Sequence, residues 1–211
     1  MDFKSCIDKE HSILMEGALG ERLKREYHLQ FNDQVAMADL IYDAKGQSAL
    51  ASQWQEYIHI AGCHGLPFLA TTPTRRANKE RVVLAGYSSS IITDNVKFLR
   101  GMQQKNGIEM FVGGLMGAKG DAYTGKPALS QEEAQFNQNA LVHSRFRGIQ
   151  ANTSPLSYTE LDGSLDLKCS APVPFAEEMM KLPRISSMNI FGGCCGTDGR
   201  HMEQVVRRLR A

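Results

Sequence analysis

The sequence predicts an α/β protein of parallel strands alternating with helices, a barrel-type arrangement, and three observations lead there. Short apolar runs at 12–15, 66–72, 109–113, 149–153 and 188–191 each end in small or polar residues. Between them lie segments whose apolar residues recur every three or four positions, the period of a helix with one buried stripe. The residues that carry chemistry, Glu16, Thr71, Thr72, Asn152, Cys194 and Cys195, fall where a strand gives way to a loop. In parallel α/β folds the carboxyl ends of the strands are where sites form.

Taken in order, the first strand runs into a helix that sets Leu19, Leu23 and Tyr27 on one face. A second helix from about Gln47 stacks Leu50, Trp54, Tyr57, Ile58 and Ala61, breaks at Gly62 and Gly65, and feeds the strand at 66–72. Ser88 to Ser90 read as the cap of a helix with Ile92, Val96 and Leu99 inward, which Gly107 ends before the strand at 109–113. Ser130 with Glu133 is a capping box, and Gly148 precedes the strand at 149–153. Pro174 suits the first position of a helix over 175–182. After the strand at 188–191, Asp198 opens a closing helix with Met202, Val205, Val206 and Leu209 inward and Arg200, Arg207, Arg208 and Arg210 in water. No Pro/Gly/Ser linker divides the chain, so residues 1–211 read as one domain.

A net charge of +1 gives no reason for nucleic acid or an anionic membrane as the main partner. Five cysteines, at 6, 63, 169, 194 and 195, are an odd set without the even spacing of a secreted disulfide fold. With no signal-peptide core at the start and no apolar run of about 18 residues, the expected location is cytoplasmic.

The most specific segment is Gly192-Gly193-Cys194-Cys195-Gly196-Thr197. Adjacent thiols between glycines suit a soft cation such as Zn²⁺, although a catalytic zinc commonly has three protein ligands and this motif supplies two. Cys169, after the fourth strand, lies on the same side and could substitute for the third. Cys63 with His59 and His64 reads as an ordinary helix end, and His201 as a packing or capping residue. Arg75, Arg76, Lys79 and Arg81 read as a solvated loop, and Gly113, Gly114 and Gly117 lack the Lys-Ser/Thr tail of a nucleotide loop. Thiol redox work ranks last, because the pair lacks CxxC spacing.

Residues 13–20, Tyr57 to Gly62 with Thr71-Thr72-Pro73-Thr74, residues 112–117 with Gly120-Asp121, and residues 189–197 with His201 occur in an order that resembles the zinc-dependent homocysteine S-methyltransferase family. The resemblance implies a (β/α)₈ barrel in which Cys194 and Cys195 hold Zn²⁺ and homocysteine accepts a methyl group from a cationic donor to give methionine. It implies catalytic positions at Glu16, holding the amino acid's ammonium, and at Gly17, leaving room for its backbone. By their place at strand ends, Thr71, Thr72 and Asn152 are candidates to hydrogen-bond a substrate or its carboxylate, the alternative being that they satisfy backbone groups.

The chain also departs from that pattern. The family's third cysteine follows an Asn, and no Asn-Cys pair occurs here. Five strand-helix units stand where a closed barrel has eight, which implies an internal deletion near residues 134–136. A second copy of the chain could cover the sheet edges thus exposed. The alternative to an enzyme is a catalytically dead remnant of that family.

Overall fold

A computed structural model describes residues 2–9, 12–115, 147–153, 169–185 and 188–210. Short strands alternate with helices along most of it. α1 (Phe3–Asp8) precedes β1 (Ile13–Met15), and α2 (Gly20–Glu26) and a 3-10 turn (Leu40–Tyr42) lead to α3 (Ala44–Cys63). Then come β2 (Phe68–Thr71), α4 (Lys79–Leu84), α5 (Ser90–Lys105), β3 (Met110–Gly113) and β4 (Gly148–Ala151). α6 (Pro172–Met179), α7 (Leu182–Ile185), β5 (Ile190–Gly193) and α8 (Gly199–Leu209) complete the described elements.

The five strands form one sheet in the order β3-β2-β1-β5-β4, and every pairing is parallel. β1 is central: Leu14 pairs with Phe68 on one side and Phe191 on the other. The last strand therefore lies beside the first, an order compatible with an incomplete α/β barrel. The five strands are those the apolar runs predict, shifted by a residue or two at their ends.

Side chains alternate across the sheet, and the two faces are filled differently. Leu14, Phe68, Ala70, Met110 and Phe191 join Trp54, Tyr57, Leu23, Leu99, Phe175, Met202 and Val205 in one large core beneath the helices. On the opposite face Ile13, Met15, Leu69 and Ile190 form a smaller cluster closed by Cys6 and Ile7 of α1, and the Phe3 ring meets Phe111 edge-on at 5.1 Å. Asn189 Nδ2 and an Arg147 guanidinium nitrogen donate to the Ile7 carbonyl at 3.2 and 3.3 Å. These contacts hold α1 at the amino end of the sheet.

Local chemistry explains where the elements depart from expectation. α3 begins at Ala44, ahead of Gln47, because the Asp43 carboxylate accepts the Gly46 N–H at 2.8 Å. In α5 the inward stripe is Ile91, Asn95 and Leu99, whereas Ile92 is 38% exposed. Asn95 can occupy that stripe because its amide donates to the Ala38 and Ile91 carbonyls, each at 2.8 Å. Pro172 rather than Pro174 opens α6, and β5 begins at Ile190 rather than Met188. In α8 the arginines are less free than a solvated face implies: Arg208 reaches Glu177 at 3.3 Å and Arg210 Nε donates to the His64 carbonyl at 2.9 Å. The capping box at Ser130 and Glu133, the deletion point at 134–136, and Gly117, Gly120 and Asp121 lie outside the described residues. Among the described residues no helix is long and apolar enough to cross a membrane.

Candidate functional site

The carboxyl ends of β1, β2, β4 and β5 bring Glu16, Thr71, Asn152, Thr153, Cys194 and Cys195 to one end of the sheet. Glu16 follows β1 and is buried. Its carboxylate accepts the Thr71 N–H at 3.2 Å, the Thr71 hydroxyl, and Gln150 Nε2 at 3.1 Å. Burial raises its pKa to about 7 against the opposing pull of those donors. The site therefore holds a carboxyl group that changes charge near neutrality.

Gly17 follows immediately. A Cβ there would stand 2.7 Å from the Tyr57 hydroxyl and 3.1 Å from Thr197 Oγ1. The space left by its missing side chain is filled by the protein itself, so the glycine serves packing between β1, α3 and the thiol loop. Thr197 is the centre of that packing: its hydroxyl accepts the Ala18 N–H at 2.8 Å and donates to the Cys194 carbonyl at 2.6 Å. Tyr57 in turn accepts from Arg22 at 2.9 Å, and Arg22 pairs with Glu56 at 2.7 Å.

The thiol loop is a turn fixed by backbone bonds on both flanks. Gly193 N–H donates to the Glu16 carbonyl at 3.0 Å and Cys194 N–H to the Ala151 carbonyl at 2.8 Å, which extend the ladder past the ends of the strands. Asn152 Oδ1 accepts the Cys195 N–H at 3.1 Å, and Glu21 accepts the Gly196 N–H at 2.7 Å. Gly196 takes φ +78°, a left-handed conformation that disfavours any side chain. The turn leaves Cys194 half-buried and Cys195 exposed, with their sulfurs 4.0 Å apart.

The contact with the Cys195 thiol, in which either sulfur can donate, together with the Cys195 backbone N–H and the nearby Arg75 charge, lowers the Cys194 pKa to about 6 against the cost of burial. The same contact, with burial, pushes the Cys195 thiol up. The contact thus shifts the two thiols in opposite directions, Cys194 down and Cys195 up.

These donors fit a zinc ion in kind and spacing. Two sulfurs each about 2.3 Å from a tetrahedral zinc stand about 3.8 Å apart, close to what the loop provides. Among the described residues no group of three or more His, Cys, Asp and Glu side chains is assembled to hold a metal ion. The pair supplies two ligands.

The other expected residues already have partners within the protein. Thr71 serves Glu16, and the Thr72 hydroxyl accepts the Leu115 N–H at 3.0 Å while meeting Thr74 Oγ1 at 2.7 Å. The second threonine therefore ties the loops after β2 and β3 together. His201 is a buried capping residue: Nδ1 meets Asp198 at 2.8 Å, Nε2 donates to the Ser170 carbonyl at 3.0 Å, and the ring packs edge-on against Phe175. Cys63 lies 3.4 Å from His59 on α3, while His64 turns instead to Glu203 at 3.0 Å. Sequence reasoning missed Gln150, Thr197 and Glu21. Gln150 was findable, since it is two residues before Asn152 and so shares the sheet face of its neighbours' inward residues. No protein-family model, curated protein or solved structure matches this chain.

Proposed function

We propose that the protein is a shortened (β/α)₈-type homocysteine S-methyltransferase that binds Zn²⁺ through Cys194 and Cys195 and moves a methyl group from a cationic donor to the homocysteine thiol, giving methionine. The observation that supports this most is the pair of sulfurs 4.0 Å apart at the end of β5. A bound zinc would supply a lowered pKa to a substrate thiol, so that a sulfur nucleophile is present at neutral pH. The lowered pKa of Cys194 favours the anionic form in which a thiol binds a metal. Glu16, held by Thr71 and Gln150, offers a carboxylate for the substrate ammonium, and a cation placed there favours its charged form. Methyl transfer forms a carbon–sulfur bond as the donor's carbon–heteroatom bond breaks, and the donor leaves neutral with that electron pair.

Metal analysis of the reduced protein, together with a methionine-formation assay using homocysteine and a sulfonium donor, tests the reading. About one tightly held zinc per chain, lost in the Cys194→Ser/Cys195→Ser variant together with activity, is the expected result. A wild-type chain that binds no zinc would sink it. The two-ligand count among the described residues favours a second reading, a remnant that keeps the metal without turnover. Zinc retention without methionine formation would select it.

A further inference from the structure

We infer that the cleft between the loop at 29–43 and Tyr87 is a binding site for a small guanidinium-type organic cation, sharing no residue with the strand-end site and independent of the zinc reading. The cleft has a volume of about 380 Å³, the size of a small-molecule pocket rather than of a packing gap. Its walls include Leu29, Leu40, Tyr42, Tyr87, Asp39 and Asp43, and among the described residues no Lys, Arg or His lines it. Two carboxylates and two aromatic rings thus line one space without a cation of the protein's own.

Each part of the wall suits a flat cation with N–H donors. The Tyr42 and Tyr87 rings stack with centroids 5.6 Å apart and planes 22° from parallel, and Tyr42 is 49% exposed, so a ring face stays open for a planar ligand. A guanidinium lies flat on such a face, attracted by the negative side of the ring quadrupole. Asp39 Oδ2 accepts the Tyr87 hydroxyl at 3.2 Å, and Asp43 Oδ2 accepts the Gly46 N–H at 2.8 Å. Among the described residues the Oδ1 of each carboxylate has no hydrogen bond, which leaves an acceptor for the guanidinium fork. Asp94, which does not line the cleft, shows the contrast: it accepts the Tyr42 hydroxyl at 2.9 Å and already has Lys97 at 3.3 Å.

The walls are set before any ligand arrives. Asn32 and Ala36 bond each other through both backbone N–H groups, at 2.9 and 3.3 Å, and Asn32 Oδ1 accepts the Gln34 and Val35 N–H groups at 2.8 and 3.1 Å. In and beside that knot Ala36 and His28 take φ +53° and +52°, left-handed values that cost a residue with a side chain and persist only where the surroundings enforce them. Across the cleft, Tyr87 packs against the cluster of Val35, Ala38, Ala77, Val82 and Ile91, and Asp43 is fixed as the cap of α3. Burial and the carboxylates they bond raise both phenol pKa values, which keeps the hydroxyls as donors and the rings neutral. A cleft already ordered in this way spares a ligand the cost of ordering it.

n-Butylguanidinium, titrated into the isotopically labelled full chain while NMR follows the backbone amides of residues 39–43, tests the assignment. Saturable binding with a Kd of about 1 mM or tighter is expected for so small a ligand. Butylurea, the same shape without the charge, should bind at least about 10-fold more weakly, and tetramethylammonium, a cation without N–H donors, should also fall behind. Asp39→Asn should weaken butylguanidinium about 10-fold and Tyr42→Ala about 3-fold, while Tyr42→Phe, which keeps the ring, should bind as wild type does. Thermal melts should show all three variants folded, since Tyr42 is exposed and an Asn at 39 can still accept from Tyr87. No saturable binding by the wild-type chain, or equal binding of butylurea or tetramethylammonium, would overturn the assignment. So would an affinity unchanged in both Asp39→Asn and Tyr42→Ala, which would place the cation elsewhere. The readout involves neither metal nor methyl transfer, so its failure leaves the zinc reading untouched.

Discussion

The two faces of the sheet differ in what covers them. Beneath α2, α3, α5, α6 and α8 lies a continuous core that includes Trp54 and Tyr57, both fully buried, with contributions from all five strands. The other face has Ile13, Met15, Leu69 and Ile190 under a single six-residue helix, and its upper rim is polar, with Glu16, Thr71 and Gln150 in contact. A helix-covered face supplies stability by burying area. The opposite face gives up apolar area at its rim for a carboxylate poised between two charge states, and a group of that kind is useful for chemistry rather than for holding a fold together.

The largest test of this contrast is a pair of truncations. Trp54→Ala should cost about 4 kcal/mol in urea unfolding, because it empties the centre of the larger core. Cys6→Ala should cost about 1 kcal/mol, the loss of one small buried group under α1. Equal costs would mean that the two faces share the load.

Next in size is the response to pH at the rim. Glu16 is raised in the folded state from 4.5 to about 7, so the fold prefers the protonated carboxyl. Its contribution is fully present below pH 4.5 and is lost as pH rises through about 7, amounting to about 3 kcal/mol. Unfolding free energies from pH 4 to 8 should show that decline in wild type and not in Glu16→Gln.

The helical side should respond in the opposite sense and more weakly. Burial opposes ionisation of Asp198, yet hydrogen bonds from Arg200 and His201 hold its carboxyl down at about 2. That stabilisation is present above pH 3.8 and disappears as pH falls through about 2, worth about 1 kcal/mol once solvent screening of this partly exposed group is allowed for. Acid titration of wild type against Asp198→Asn should reveal it below pH 4.

The five described strands and their parallel alternation with helices were legible in the sequence because each is an apolar run bounded by Gly, Pro or a polar residue, as around Phe68 and Ile190. Helix faces were less so. Ile91 and Ile92 are adjacent, and only the partners available to Asn95, the Ala38 and Ile91 carbonyls, decide which isoleucine turns inward. α1 was not legible, since Cys6 and Ile7 are too short an apolar stretch to announce a helix before their docking surface exists. At the site, the strand-end placement of Glu16 and the thiols could be read directly. The partners of Thr72 and Gly17 could not, because they come from Leu115, Tyr57 and Thr197, which only the fold brings near.

Because Ile13 pairs with Ile190 and Leu14 with Phe191, β1 waits for β5, which follows far later in the sequence, before both its edges are satisfied. During synthesis one side of the sheet's middle strand has no neighbour, and such an unpaired edge invites the wrong one. The folding of this chain is thus governed by its most distant contact, and a nascent-chain binder that shields residues near Leu14 should raise the yield of correctly paired protein.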